Sequence, residues 1–368
     1  MKFLFLEPFY GGSHGDFADG WVNHSRHRID LVTLPARFWK WRMRGAALHF
    51  AKKVQSPAEY DGLIVSNLMS LSDLKALWGT DCPASLVYFH ENQLSYPLPP
   101  GETMDYQYGF TDITTGVVAE RLLFNSRTHM DTFFNALPGF IEMMPEFRPK
   151  WVIGQIRGKA AHLYPGCNYP SGPAELREWG LTKAPLIIWN QRWEFDKRPE
   201  IFIAALEAAL SRGHEFRLAF LGENFQVVPE SFLTAREKFG ERIVQYGFEP
   251  SKEKYKDWLR QGVVVVSTAI QENFGISVME AIRRGCYPLL PNNLVYPELI
   301  PQEHHDDCLY RGQEDLVEKL SLILANPGQY SDKREALADY AEQYSWELVI
   351  GKYDNELDQL ARVRSHRT

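Results

Sequence analysis

The chain has no uninterrupted apolar run approaching the ~18 residues that a membrane-spanning helix needs. Cysteine is scarce: Cys82, Cys167, Cys286 and Cys308 lie far apart and form no C-x-x-C pair. In a chain of 368 residues that spacing argues for buried or idle thiols, against a disulfide framework or a cysteine zinc site. There is no excess of basic charge either, the formal net charge being −7. Residues 1–170 carry 16 cations and 16 carboxylates, and the remainder 24 against 31. Any RNA-binding face is therefore a local patch in the first half, not a coat. Repeats and low-complexity segments are absent. The N-terminus offers only Phe3–Leu6 as an apolar run before Glu7, against the roughly 7 to 15 residues of an export signal. It reads as a first β-strand and the protein as cytoplasmic, so the sequon at Asn23-His24-Ser25 carries little meaning.

What is present is an alternation of short apolar runs with longer amphipathic ones. The runs predict strands at Lys2–Pro8, Gly62–Ser66, Ser85–His90, Leu122–Asn125, Leu186–Asn190, Arg217–Leu221, Val263–Ser267 and Tyr287–Pro291. Several are apolar on both faces, as parallel strands covered by helices are. Helices are expected at Pro199–Arg212, Ser251–Gln261 and Val278–Arg284. The pattern means α/β, doubly wound. Between Leu163 and Pro173 three Pro and two Gly in eleven residues mark a boundary. Two domains of similar size follow, 1–168 and 169–345, with a last helix over 346–368. Ligands of such sheets bind beyond the carboxyl ends of the strands, and two facing sheets would place the site in a cleft.

Five segments offer chemistry. The first strand runs into Gly11, Gly12 and His14, where a glycine pair lets backbone N–H groups approach an oxygen or phosphate; a plain tight turn is the alternative. The third ends in His90-Glu91-Asn92-Gln93, polar groups at the tip of a buried strand. They suit a base or sugar contact, or a turn capped by Asn92. Arg192 and Lys197 share one strand–helix loop and could clamp a diphosphate, or form a solvated charged loop. The segment Glu272-Asn273-Phe274-Gly275-Ile276 leads into a helix bearing Glu280, and eight residues of separation let both glutamates line one cavity. Arg37, Lys40, Arg42 and Arg44 alternate with Phe38, Trp39 and Trp41. They suit phosphates with stacked bases, or a helix that buries the rings and lets its cations snorkel. Glu303-His-His-Asp-Asp307 has ligand residue types, but adjacent side chains diverge and it reads as a solvated loop.

Glu272 to Glu280 resembles the E-x7-E element of retaining glycosyltransferases of the GT-B fold, with Asn273 in place of the usual first Gly. Arg192 and Lys197 match that family's diphosphate loop, and Ser345-Trp346-Glu347 the start of its returning C-terminal helix. Glu7-Pro-Phe-Tyr-Gly-Gly-Ser-His14, Thr33–Arg37 with Trp39–Arg42, His90–Pro97, Asp105–Gly109 and Phe124–Ser126 resemble the tRNA-queuosine α-mannosyltransferases. That resemblance implies two Rossmann-like domains and transfer of mannose from GDP-mannose to queuosine in an aspartate tRNA, without a metal. It implies that Arg192 and Lys197 neutralise the diphosphate, that Glu272 with the Asn273–Ile276 segment holds the sugar and Glu280 the ribose, and that Phe248 and Tyr255 lie near the base. Gly11 and Gly12 then approach the donor, and His90 sits near the reacting carbon. His14, Glu91, Asn92, Gln93, Tyr96, Gln107 and Tyr108 are expected around the acceptor, and Arg37, Lys40, Arg42 and Arg44 along the RNA backbone. Two other readings stay open: the same enzyme class with a lipid, glycan or small-molecule acceptor or another nucleotide-sugar, and a non-catalytic RNA-binding protein on this scaffold.

Overall fold

Strands that are apolar on both faces can be stable only inside a sheet covered on both sides. The computed structural model, which describes residues 1–365 except 100, 170, 175, 177, 180–182 and 224–229, contains two such sheets, one in each of two units. The first unit comprises Met1–Asn168 and the chain from Tyr344 onward; the second is Tyr169–Gln343.

The first unit runs β1 (Lys2–Tyr10), α1 (Gly12–His24), β2 (Arg28–Pro35), α2 (Trp39–Lys53), β3 (Gly62–Ser66), α3 (Leu71–Trp78), β4 (Ser85–Phe89), α4 (Tyr106–Val118), β5 (Arg121–Phe124), α5 (Arg127–Glu142), α6 (Trp151–Arg157) and β6 (Ala160–His162). All six strands are parallel, in the order β2-β1-β3-β4-β5-β6. The chain steps outward from β1 to β2 and then back across to β3, so β1 and β3 flank the point where winding reverses. Helices α2 to α6 bury Phe50, Leu74, Ile113, Phe133 and Ile156 on one face of the sheet. Side chains of Ser70, Asp105 and Ser126 cap α3, α4 and α5 by accepting backbone N–H groups.

The second unit runs β7 (Leu186–Trp189), α7 (Pro199–Ser211), β8 (Arg217–Phe220), α8 (Glu230–Phe239), β9 (Ile243–Tyr246), α9 (Lys252–Gln261), β10 (Val264–Val266), α10 (Ile276–Arg283), β11 (Tyr287–Pro291), α11 (Tyr296–Leu299), α12 (His305–Cys308), β12 (Leu309–Tyr310), α13 (Gly312–Ala325) and α14 (Ser331–Ala341). Its order is β12-β11-β10-β7-β8-β9, again all parallel. Here β7 and β10 flank the reversal. Val265 pairs with Ile188, so the loops leaving the two strands start side by side. The chain then forms α15 (Trp346–Ser365), which packs with α1 on the other face of the first sheet.

The doubly wound α/β class and all eight expected strands are present. Four strands were missing from the sequence reading: β2, β6, β9 and β12. All but β2 are of two to four residues, and β2, β6, β9 and β12 occupy the sheet edges. An edge strand keeps one side open to water, so its composition need not be apolar. Glu303–Asp307 is wound into short helical turns, not an open loop, and the His305 ring is 2.8 Å from the Ile300 carbonyl. Among the described residues the cysteines form no disulfide; Cys167, Cys286 and Cys308 are buried. Among the described residues no helix is long and apolar enough to cross a membrane.

Candidate functional site

Ligands of doubly wound sheets bind at the carboxyl ends of the strands where the winding reverses. In each unit some of the residues singled out from sequence lie on the loops that leave those strands, while Phe248, residues 37–44, Gln107 and Tyr108 lie elsewhere. In the second unit the loop after β7 carries Arg192 and Lys197, and the loop after β10 carries Glu272 to Gly275. Lys197 is 6% exposed. Its Nζ donates to the Gln271 carbonyl at 2.7 Å and lies 3.3 Å from Glu272 Oε2 and 3.1 Å from Asp196 Oδ2. Burial alone would push this ammonium down; the Glu272 and Asp196 carboxylates offset it and hold its pKa above the ordinary lysine value. The loop itself is fixed from β10: Thr268 Oγ1 donates to the carbonyls of Lys197 and Arg198, and the Ile270 N–H to that of Asp196. Arg192 is half-exposed, with Nη2 3.2 Å from Glu194 Oε2.

Gly275 caps α10 with φ +81, where a Cβ would be strained and would stand 3.4 Å from Glu272 Cγ. Glu280 Oε2 accepts from Tyr255 OH at 3.3 Å, and Tyr255 OH also accepts from Asn190 Nδ2 at 3.1 Å. Asn190 Nδ2 donates to the Ser277 carbonyl at 2.6 Å as well, so one amide ties the end of β7 to both α9 and α10. Gln271 Nε2 donates to Asn273 Oδ1. Ile276 begins α10 and is partly exposed, while Phe274 is buried. Phe248, after β9, is 56% exposed.

In the first unit Glu7 is fully buried at the end of β1. Its Oε1 accepts from the Phe9 N–H at 2.9 Å and from Ser66 Oγ at 3.0 Å, and lies 3.5 Å from His14 Nδ1. The His14 and His90 rings are 4.0 Å apart. Glu7, His14 and His90 present ligand atoms within 4.8 Å of one another, a group of donor atoms that could hold a metal ion. Burial and the neighbouring His14 and His129 rings keep the His90 pKa well below the usual imidazole value, so this ring is neutral near pH 7. The His90 carbonyl accepts from Asn125 Nδ2 at 2.9 Å. Gly12, with φ +52, has open space around it. Gly11 is needed for another reason: its backbone is extended, and a Cβ would meet the Ala36 Cβ at 2.6 Å.

The loop after β4 is held from below by two residues that sequence reasoning missed. Asn67 Oδ1 accepts the His90 N–H at 3.2 Å and Asn67 Nδ2 donates to the Glu91 carbonyl at 2.7 Å. Asp112, on α4, accepts the Gln93 N–H at 2.7 Å and lies 3.5 Å from Asn67 Nδ2. Asn92 is buried and its Oδ1 accepts from the Leu94 and Ser95 N–H groups, so it caps the turn, the alternative the sequence offered for it. Glu91 accepts from Gln93 Nε2, and both, with Tyr96, are partly exposed. Gln107 is exposed on the first turn of α4, and the Tyr108 ring stands 5.1 Å from Trp39. Arg44 Nη1 donates to Thr111, so the basic start of α2 lies along α4. Arg37, Lys40 and Arg44 are exposed; Arg42 is partly buried and donates to the Pro35 carbonyl. Phe38 and Trp41 are 65% and 76% exposed, so the segment does not bury its rings. The sequence signal for Glu7 and Asp112 is a carboxylate inside an otherwise apolar strand and on the apolar face of a helix.

Burial pushes the Asp112 carboxyl up to about 8, against the Gln93 and Asn67 hydrogen bonds that favour its charged form. A carboxyl whose folded pKa exceeds its unfolded one stabilises below the unfolded value and loses that contribution as pH rises through the folded value. The buried His90 and His129 act in the opposite sense, but only below the ordinary imidazole pKa of 6.5. Between about pH 7 and 8 the Asp112 effect therefore stands alone: the melting temperature should fall, and Asp112→Asn should flatten that limb. A limb unchanged in Asp112→Asn, followed by calorimetry, would assign it to another group.

Comparison with known proteins agrees with this layout. Residues 2–167 match a family model described as tRNA-queuosine alpha-mannosyltransferase N-terminal, and residues 174–344 one described as glycosyl transferases group 1. The chain is 34% identical to the tRNA-queuosine alpha-mannosyltransferase of Drosophila melanogaster, over 95% of this chain and 94% of that one. It is 26% identical to the GDP-mannose:cellobiosyl-diphosphopolyprenol alpha-mannosyltransferase of Xanthomonas oryzae pv. oryzae, over 48% of this chain and 47% of that one. Among solved structures it is similar to sucrose-phosphate synthase from Thermosynechococcus elongatus, with a TM-score of 0.75 at 14% identity over 99% and 100% of the two chains. Anabaena HepE in complex with UDP gives 0.68 at 14% identity, over 98% and 100%. The two units are those of the GT-B glycosyltransferase fold.

Proposed function

The chain belongs to the tRNA-queuosine alpha-mannosyltransferase family of glycosyltransferases, and from that membership we propose that it transfers mannose from GDP-mannose to the cyclopentenediol of queuosine in an aspartate tRNA, with retention at the sugar carbon. The observation that carries the reading is that the likeness extends through the N-terminal half, which holds the residues expected to face the acceptor, and is not confined to the glycosyltransferase half.

The donor residues have defined tasks in this reading. Lys197 and the exposed fork of Arg192 face the departing diphosphate with fixed positive charge, and a metal is not required for that task. Glu272 and the N–H groups opening α10 hold the sugar hydroxyls; Glu280, set by Tyr255, holds the ribose; Phe248 covers the base. On the acceptor side Gly12, His14 and His90 border the reacting carbon, and Glu91, Gln93, Tyr96, Gln107 and Tyr108 border the diol. The bond from the sugar carbon to the phosphate oxygen breaks as the bond to the acceptor oxygen forms on the same face. The acceptor proton passes to the leaving phosphate, and no protein nucleophile is invoked. Neutral His90, through its ring and carbonyl, lies beside the developing positive carbon.

The test is incubation of purified protein with GDP-mannose and tRNA from queuosine-producing cells, beside tRNA lacking queuosine, followed by mass spectrometry of the nucleosides. Queuosine heavier by one hexose is the expected product. Donor hydrolysis with both tRNAs unmodified would retain the enzyme class and overturn the acceptor. A product from another nucleotide-sugar would overturn the donor.

A further inference from the structure

Phe147 and Trp151 stand in solvent, 86% and 64% exposed, at the corner where α5 passes into α6. Phe147 has φ +50, one of four described non-glycine residues with positive φ, the others being Phe38, Arg198 and Leu294. Two of the four are thus exposed phenylalanines, each beside an arginine: Arg37-Phe38 and Phe147-Arg148. A bulky residue in the left-handed region is unfavourable, and no core packing repays it where the ring faces water.

Helix α2, and the helices α5 and α6 that flank the corner, all pack on α4. On one side Trp39 meets Tyr108 at 5.1 Å and Arg44 donates to Thr111. On the other, Phe140 near the end of α5 is 6.2 Å from Tyr106, and Gln155 of α6 donates to the Val117 carbonyl. The corner is therefore across α4 from the basic start of α2. Residues 37–53 carry six Lys or Arg and no carboxylate. At the corner Arg148 and Lys150 both pair with Glu142, and Glu146 is close in sequence, so it is nearly charge-balanced and offers aromatic surface.

We propose that this corner is a base-stacking platform for the acceptor RNA: Phe147 and Trp151 receive unpaired bases of the strand whose phosphates the α2 cations hold. RNA is the occupant that fits, because the adjoining six-cation segment 37–53 complements a phosphate chain and exposed rings stack on any base. This rests on the RNA acceptor proposed above, and the experiment separates the two.

The affinity of wild-type protein for queuosine tRNA is measured across a salt series beside Phe147→Ala/Trp151→Ala. Losing a stacked base should weaken binding on the order of 5- to 150-fold. The slope of log affinity against log salt should stay unchanged, since no phosphate contact is lost, whereas Arg42→Glu/Arg44→Glu should reduce it. The double alanine variant should raise the KM for tRNA and leave GDP-mannose binding intact, and Phe147→Tyr/Trp151→Phe should keep wild-type affinity. Equal tRNA affinity in wild type and the alanine variant overturns the platform while leaving the RNA acceptor standing. A loss accompanied by a reduced slope overturns stacking. Wild-type protein that binds no tRNA overturns both.

Discussion

On the proposed mechanism, Lys197→Met should lower kcat for mannose transfer by roughly 10²- to 10³-fold or more, because it deletes the buried charge assigned to the leaving diphosphate. The same change should cost about 3–5 kcal/mol of stability, since Asp196 and Glu272 are left as uncompensated, largely buried carboxylates. Those two effects must be told apart. Adding Asp196→Asn removes one orphaned charge, so Lys197→Met/Asp196→Asn should recover part of the lost stability and none of the turnover. Recovery of both would mean that Lys197 serves only to neutralise its carboxylate neighbours. The lysine's contribution is expected at full strength across the working range: its folded pKa is raised, so the stabilisation is complete below the ordinary lysine value and is lost only as pH climbs above it. A melting temperature falling already at pH 8 in the Asp112→Asn background would contradict that assignment.

Lys197 also shows where sequence reading succeeds and where it stops. The runs at 186–189, 217–220 and 264–266 are legible because burial on both faces demands uniform apolarity. β9, IVQY, and β6, AAH, carry no such mark; their hydrogen bonds come from β8 and β5, and a partner strand is not visible in local composition. The same holds for the site. Each loop was recognisable alone, but Lys197 and Glu272 are 75 residues apart, and only the placing of β10 beside β7 brings them within 3.3 Å. Asn67 and Asp112 escaped notice since neither lies in the polar segment they support. Their task, fixing the N–H and C=O groups of His90, Glu91 and Gln93, is a property of the fold around that segment. At Gly11 the contact with Ala36 is a second demand for glycine that local sequence does not show, whereas Gly12 has free space and positive φ.

Trp346→Ala should strongly destabilise the first unit's core. The indole fills the gap between two glycines: a Cβ on Gly20 would fall 1.9 Å from its Nε1, and one on Gly166 2.1 Å from its Cδ2. It opens α15, whose buried stripe continues through Val349, Tyr353, Leu357 and Leu360 at helical spacing. Truncating a buried Trp costs about 3–5 kcal/mol, which for a domain of this size lowers the melting temperature by roughly 6–20 °C. Trp346→Phe should retain much of that. The loss should also reach the site. Phe17 lies 5.6 Å from Trp346 and 4.8 Å from His90, and stacks on Tyr88 at 4.2 Å, so one ring links the helix contact to the wall behind the histidine. With that ring free to shift, His90 loses its packed position, and if it acts beside the reacting carbon as proposed, kcat should fall more than the KM for GDP-mannose rises. Residual activity at 15 °C, where Trp346→Ala remains folded by circular dichroism, reads the positional effect alone. Wild-type kcat there would confine Trp346 to stability, and a wild-type melting temperature would detach α15 from the core altogether.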